Sequence, residues 1–173
     1  MFSDPGKNLR AFGISDGMTV ADFGAGTGFY SIAAGKMAQG GRVYAIEIQK
    51  DFLDTIRAKV KEARLSNVEA IWGNVEKAGG TKLADKSVDR IICSNILFQV
   101  EDKRGFMDEI KRIMKPGGRL LLIEHDPESS HLKIRSAVSK EKTKEMFEER
   151  GFKVESEIDA GSHHYGMIMS RKE

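Results

Sequence analysis

Cysteine is nearly absent: Cys93 is the only one in 173 residues, which excludes a disulfide framework and a zinc cluster of thiolates. An excess of either charge is missing too. The 28 Lys and Arg nearly balance 26 Asp and Glu, leaving a net +2, with neither the basic footprint of a nucleic-acid binder nor an acidic tail. No apolar run approaches the ~20 residues of a membrane-spanning helix, and the amino-terminal stretch lacks the apolar centre of a signal peptide. No Asn-x-Ser/Thr glycosylation acceptor occurs. Cytoplasmic residence without a membrane partner is the expectation. The 40% hydrophobic and 31% charged composition is that of an ordinary globular protein. A chain of this length buries roughly 70% of its unfolded surface, enough for one core, so a single domain over residues 1–173 is expected.

Glycine, by contrast, is concentrated where it tells most. Val20-Ala21-Asp22-Phe23-Gly24-Ala25-Gly26-Thr27-Gly28-Phe29-Tyr30-Ser31 reads as a short buried strand, a glycine-rich turn and the opening of a helix. Glycines at alternate positions let backbone approach a ligand without intervening Cβ atoms. The helix start offers unpaired N–H groups to an electron-rich partner. A dinucleotide fingerprint needs G-x-G-x-x-G or -A, but Phe29 and Ser31 fall at the sixth position of the two frames. A Walker loop fails as well, because Gly35-Lys36 is followed by Met37. A nicotinamide oxidoreductase is therefore the weaker reading. A second acid, Glu47, ends the apolar run Arg42–Ile46 and lies 19 residues beyond Gly28, close to the ~20-residue spacing of a ribose-binding acid. From that strand end a carboxylate can accept both ribose hydroxyls.

Asp22-Phe23-Gly24-Ala25-Gly26-Thr27-Gly28 closely resembles the first motif of the class I S-adenosylmethionine-dependent methyltransferases. An acid beside the turn suits the cationic sulfonium and amino group of that cofactor better than a pyrophosphate. Gly73-Asn74-Val75-Glu76 resembles the family's Gly-Asp-Ala-Glu, with Asn74 in place of the acid that accepts from the adenine amino group. Ser94-Asn95-Ile96-Leu97-Phe98-Gln99-Val100 resembles Asn-x-Leu-His-His-Val, with Phe98 and Gln99 at the usual histidines. Met114-Lys115-Pro116-Gly117-Gly118-Arg119-Leu120 matches Leu-Lys-Pro-Gly-Gly-x-Leu, a structural turn remote from the ligand. The resemblance covers about residues 15 to 172. It implies S-adenosylmethionine as cofactor, S-adenosylhomocysteine as product, and contacts from Asp22, Gly24, Ala25, Gly26, Gly28, Tyr30, Glu47, Ile48, Asn74, Val75, Ser94 and Asn95.

The alternation along the chain agrees with it. Strands are expected at Thr19–Phe23, Arg42–Glu47, Val68–Trp72, Val88–Cys93 and Arg119–Glu124, with helices between them. Asp4-Pro5 opens a short helix ended by Gly13, and residues 1–14 are expected to act as a small cover. Phe106, Ile110, Ile113 and Met114 stripe another helix, halted at Pro116-Gly117-Gly118. A last helix runs from Ser139 to Gly151. Phe152–Ile158 and Tyr165–Ser170 leave no room for a helix and must pair as a hairpin. The expected fold is α/β: a Rossmann-like, seven-stranded, mostly parallel sheet with helices on both faces and an antiparallel final strand.

Ligands in such sheets lie beyond the carboxyl ends of the strands. The acceptor side is expected to draw on Ser94, Asn95, Glu124, His125 and Asp126. His125 is the leading general base by intrinsic pKa, and Asn95 is the second catalytic candidate. Cys93 sits in an apolar strand and reads as core. The amino-group methylation signature Asn/Asp-Pro-Pro-Tyr is absent, so the acceptor is expected to be a small molecule or a protein side chain. Residues 126–138 form a variable loop whose His131, Lys133 and Arg135 suit an anionic acceptor. His131, His163 and His164 could gather with His125, but their spacing is not that of a helical zinc motif and no metal is assigned. A partner subunit or homodimer remains open, as does an inactive S-adenosylmethionine-binding subunit that activates a partner.

Overall fold

The computed structural model describes residues 4–128 and 134–172. Twelve elements follow one another: α1 (Pro5–Phe12), β1 (Thr19–Phe23), α2 (Phe29–Met37), β2 (Arg42–Glu47), α3 (Lys50–Glu62), β3 (Val68–Trp72), β4 (Val88–Ser94), α4 (Lys103–Ile113), β5 (Met114–His125), α5 (Lys140–Glu149), β6 (Phe152–Ile158) and β7 (His164–Arg171). The strands form one sheet in the order β3-β2-β1-β4-β5-β7-β6. β1 to β5 pair in parallel, and β7 runs antiparallel to both β5 and β6. The expected fold class is therefore observed.

Both faces of the sheet are covered, which is why its central strands read as continuous apolar runs. Successive residues alternate between two cores. Ala21, Phe23, Ile91, Cys93, Leu120 and Leu122 pack with Phe106, Ile110 and Ile113 of α4 and Phe147 of α5. Val20, Ile92, Leu121 and Ile123 pack with Leu9 and Phe12 of α1 and with Tyr30 and Ala34 of α2. Cys93 is a fully buried core residue, and burial pushes its thiol upward. α1 starts at an Asp4 cap and stops at Gly13, whose φ of +77° favours glycine. Its Leu9 and Phe12 are buried, and Lys7 reaches Asp159 at 2.6 Å.

One expectation fails at the start of β5. Met114 is not the end of the helical stripe; α4 stops at Ile113, and Met114 opens the strand by pairing with Val88. The Lys115–Gly118 segment is then a bulge, four residues lying between Met114 and Arg119 where β4 has only Asp89. Gly117 takes φ +74°, and Asp89 accepts from Lys115 and from the Thr19 N–H at 2.9 Å. Among the described residues no helix is long and apolar enough to cross a membrane.

The β3–β4 connection carries residues 73–76 to the carboxyl end of the sheet, and buried Glu109 of α4 anchors it. Its carboxylate accepts from Gly79 N at 2.9 Å, Thr81 Oγ1 at 2.6 Å and both Nε and NH2 of Arg112 at 2.8 Å. Burial opposes ionisation, but the Arg112, Thr81 and Gly79 donors outweigh it and bring the carboxyl down to about 2. A depressed carboxylate stabilises the fold above its unfolded pKa, and that stability is lost as pH falls from about 4.3 through about 2. Glu109→Ala should cost about 3 kcal/mol at pH 7, because it strands the Thr81 and Gly79 donors and half-buried Arg112. Urea unfolding at pH 7 and pH 3 measures it. The gap between wild type and variant should narrow at pH 3, and an equal gap at both would remove the ionised carboxylate from the explanation.

Candidate functional site

A cleft of about 870 Å³ opens at the carboxyl ends of β1, β2, β4 and β5. It lies where the strand order reverses between β1 and β4, the usual ligand position in an open α/β sheet. Asp22, Gly24, Ala25, Gly26 and Tyr30 line it from the β1–α2 segment, and Glu47 and Ile48 from the end of β2. Asn74 and Val75 follow β3, Ser94 and Asn95 end β4, and His125 ends β5. Of the expected cofactor contacts only Gly28 stays outside the lining. It caps α2 at φ +82°, and a Cβ there would meet Ile56 Cγ1 of α3 at 3.0 Å. Gly28 therefore shapes the turn by conformation and by close packing on α3.

The turn is held by Glu47. Gly26 N donates to its Oε2 at 2.9 Å, while Ile48 N and Gln49 N donate to Oε1 at 2.8 and 2.9 Å. A carboxylate has about four acceptor positions. Three are taken by backbone, so accepting both hydroxyls of a ribose would require Glu47 to release an N–H. Asp22 is fully buried and accepts from Ser31 Oγ at 2.6 Å. Burial is the main cause that pushes its carboxyl up to about 7, assisted by the charge of Glu47 and opposed by Ser31. A cation in the cleft would relieve both effects. Asn74 Oδ1 already accepts from Glu76 N at 2.9 Å, leaving one lone pair for a ligand. Asn95 takes φ +53° at the end of β4, a conformation asparagine tolerates better than most residues. Its Oδ1 is buried without a hydrogen-bond partner among the described residues.

On the acceptor side the three candidates after β5 separate. Glu124 turns away from the cleft: its Oε1 accepts from Ile96 N at 2.9 Å and Leu97 N at 2.7 Å, fixing the segment after β4. Burial pushes its carboxyl up to about 7 against those two donors. Asp126 accepts from Glu128 N at 2.9 Å and does not reach the cleft either. Only His125 enters it, its pKa lowered by burial and by the nearby His163. Arg135 is exposed and lies outside the lining, whereas His131 and Lys133 fall outside the described residues. His164 joins His125 in the cleft, and among the described residues no group of three or more His, Cys, Asp or Glu could hold a metal ion.

Sequence reasoning missed several lining residues. Phe52 of α3 has the spacing of an ordinary helical residue, yet it lines the cleft, and Pro5, in the segment expected to act as a cover, lines it too. Phe29 stands 68% exposed at its edge with Lys59 Nζ 4.0 Å from the ring centroid. Its place in the failed dinucleotide frame was the available signal.

The family model of the methyltransferase domain matches residues 14–168. The chain belongs to the class I S-adenosylmethionine-dependent methyltransferases. A crystal structure of a SAM-dependent methyltransferase from Aquifex aeolicus superposes with a TM-score of 0.88 at 30% identity, covering 97% of this chain and 89% of that one. A demethylmenaquinone methyltransferase from Geobacillus sp. is 30% identical over 117 residues, 67% of this chain and 49% of the relative. The chain spans about half the length of the curated relatives it matches. A chain of the Haloferax volcanii complex that contains the Trm112 methyltransferase activator shares the fold, with a TM-score of 0.78 at 17% identity and coverage of 96% and 88%.

The cleft suits the family's cofactor. A Cβ on Gly26 would find nothing nearer than Gly24 O at 4.0 Å, so that backbone faces open space. Asp22 and Glu47 bring acid without a lysine or arginine in the described lining, as a cationic ligand requires. The buried, unpartnered Oδ1 of Asn95 offers a further acceptor.

Proposed function

We propose that this chain binds S-adenosylmethionine in the cleft and transfers its methyl group to a small-molecule acceptor, with a protein side chain as the other acceptor class. The observation that carries the reading is the convergence of Asp22, Gly26, Glu47, Asn74, Asn95 and His125 on one cleft. The Gly24–Gly26 turn and Glu47 would hold the nucleoside, and Asp22 and Asn95 would face the amino acid portion. S-adenosylmethionine supplies an electrophilic methyl carbon on a positive sulfur. His125 would take the acceptor's proton on a ring nitrogen as the acceptor's lone pair bonds to that carbon and the sulfur keeps the electrons of its broken bond. Positioning supplies much of the rate in such an in-line displacement. Relatives named for demethylmenaquinone support a small-molecule acceptor. Cytoplasmic residence accompanies this reading.

Incubating the purified chain with methyl-labelled S-adenosylmethionine and separated small-molecule, protein and nucleic-acid fractions tests it. Label is expected in the small-molecule or protein fraction. Label mainly in RNA or DNA would overturn the acceptor class. Binding without transfer to any fraction would favour the other reading, an inactive subunit that serves a partner. Trp72 and Ile48, 48% and 50% exposed beside the cleft, are the surface such a partner or second copy would cover.

A further inference from the structure

The ends of β5 and β7 set two imidazoles side by side. His125 and His164 are register partners across the antiparallel pair, with ring centroids 4.2 Å apart and planes inclined by 35°. Both line the cleft. The His125 Nδ1 and both ring nitrogens of His164 are buried without a hydrogen-bond partner among the described residues. The cleft's lining includes the apolar Pro5, Phe29, Tyr30 and Ile96 beside the polar Asn74, Ser94, Asn95 and Gln99, and its described residues include no lysine or arginine. Its acids are Asp22, Glu47 and Glu76.

We infer that His164 pairs with His125 to form an uncharged hydrogen-bonding wall that selects a neutral, largely apolar acceptor by its hydroxyl group and excludes anions. The inference rests on the cleft being the methyl-transfer site. A neutral imidazole has one donor and one acceptor nitrogen, so two adjacent rings match both halves of a hydroxyl. A carboxylate or phosphate instead needs cationic donors, and here it would be buried unpaired in a cleft that also holds Asp22, Glu47 and Glu76. Burial and the neighbouring His125 and His163 rings bring His164 down to about 4, so at pH 7 it carries no charge with which to hold an anion.

Histidine-selective ¹⁵N spectra of the full chain saturated with S-adenosylhomocysteine, titrated with phenol, catechol and 1-naphthol against benzoate and 1-naphthoate, test the inference. The ring nitrogens of His125 and His164 should shift with the hydroxyl probes, which should bind at least ~10-fold more tightly than the carboxylates. His164→Phe keeps a flat ring in the stack and should weaken the hydroxyl probes about 3–10-fold, the worth of one neutral hydrogen bond, without altering S-adenosylhomocysteine affinity. Silent histidines at saturating probe, or carboxylates bound as tightly as the hydroxyl compounds, would overturn it. Failure of S-adenosylhomocysteine itself to bind, read separately by calorimetry, would overturn the cofactor reading and this inference with it.

Discussion

Gly26→Val is expected to lower S-adenosylmethionine affinity by ~100-fold or more, about 2.7 kcal/mol, while leaving a folded protein. Gly26 sits at φ +54°, where a β-branched residue is strained by about 1–3 kcal/mol. A Cβ there meets no protein atom closer than 4.0 Å, so the damage falls on the open cleft rather than on the core. The valine would occupy ligand space and disturb the Gly26 N–H that reaches Glu47 at 2.9 Å. Gly24→Ala is a less clean probe, since its Cβ would meet Ile96 Cδ1 at 2.3 Å and force repacking. Glu47→Ala should cost ~10-fold or more, the worth of a charged hydrogen bond at about 1.5–3 kcal/mol, and it also frees the turn. Calorimetric titration with circular dichroism as a folding control measures all three. Wild-type affinity in a folded Gly26→Val would remove the glycine turn from the site.

His125→Ala should lower turnover by about 10²–10⁴, the usual worth of general-base assistance, with S-adenosylmethionine affinity almost unchanged. Burial and the neighbouring His163 depress the His125 pKa, so the ring is neutral at pH 7 and ready to accept a proton. Because the unprotonated ring is the active form, kcat/KM should fall as pH drops through a pKa below 6.5 and stay level above it. Replacement by alanine should abolish that acidic limb. Wild-type turnover in the variant would make catalysis purely positional, and loss of cofactor binding would make the histidine structural.

Much of this molecule could be read from its residues because local signals agreed with the tertiary outcome. β1, β2 and β3 occupy the expected ranges because each is a short apolar run bounded by glycine or polar residues. Asp22 and Glu47 were legible because an acid ending a buried strand stands out against apolar neighbours. Met114 was misread because its helical spacing from Ile110 is real, and only pairing with Val88 across a bulge shows it to be strand. Glu124 and His125 are adjacent in sequence, yet strand alternation sends one beneath the β4 segment and the other into the cleft. Choosing between them required knowing which face each took. That His164 could gather with His125 followed from the final hairpin, but that these two rather than His163 are partners depended on the β5–β7 register, which joins residues 39 positions apart. The double duty of Glu47, pinning the turn with the carboxylate that was expected to accept the ribose hydroxyls, emerges only when the two loops are placed together.

Mass spectrometry of the ligand that this chain carries through native purification tests the cofactor most directly. S-adenosylmethionine or S-adenosylhomocysteine is predicted at close to one per chain in wild type and absent from Gly26→Val. NAD or another dinucleotide in the wild-type cleft would contradict the assignment.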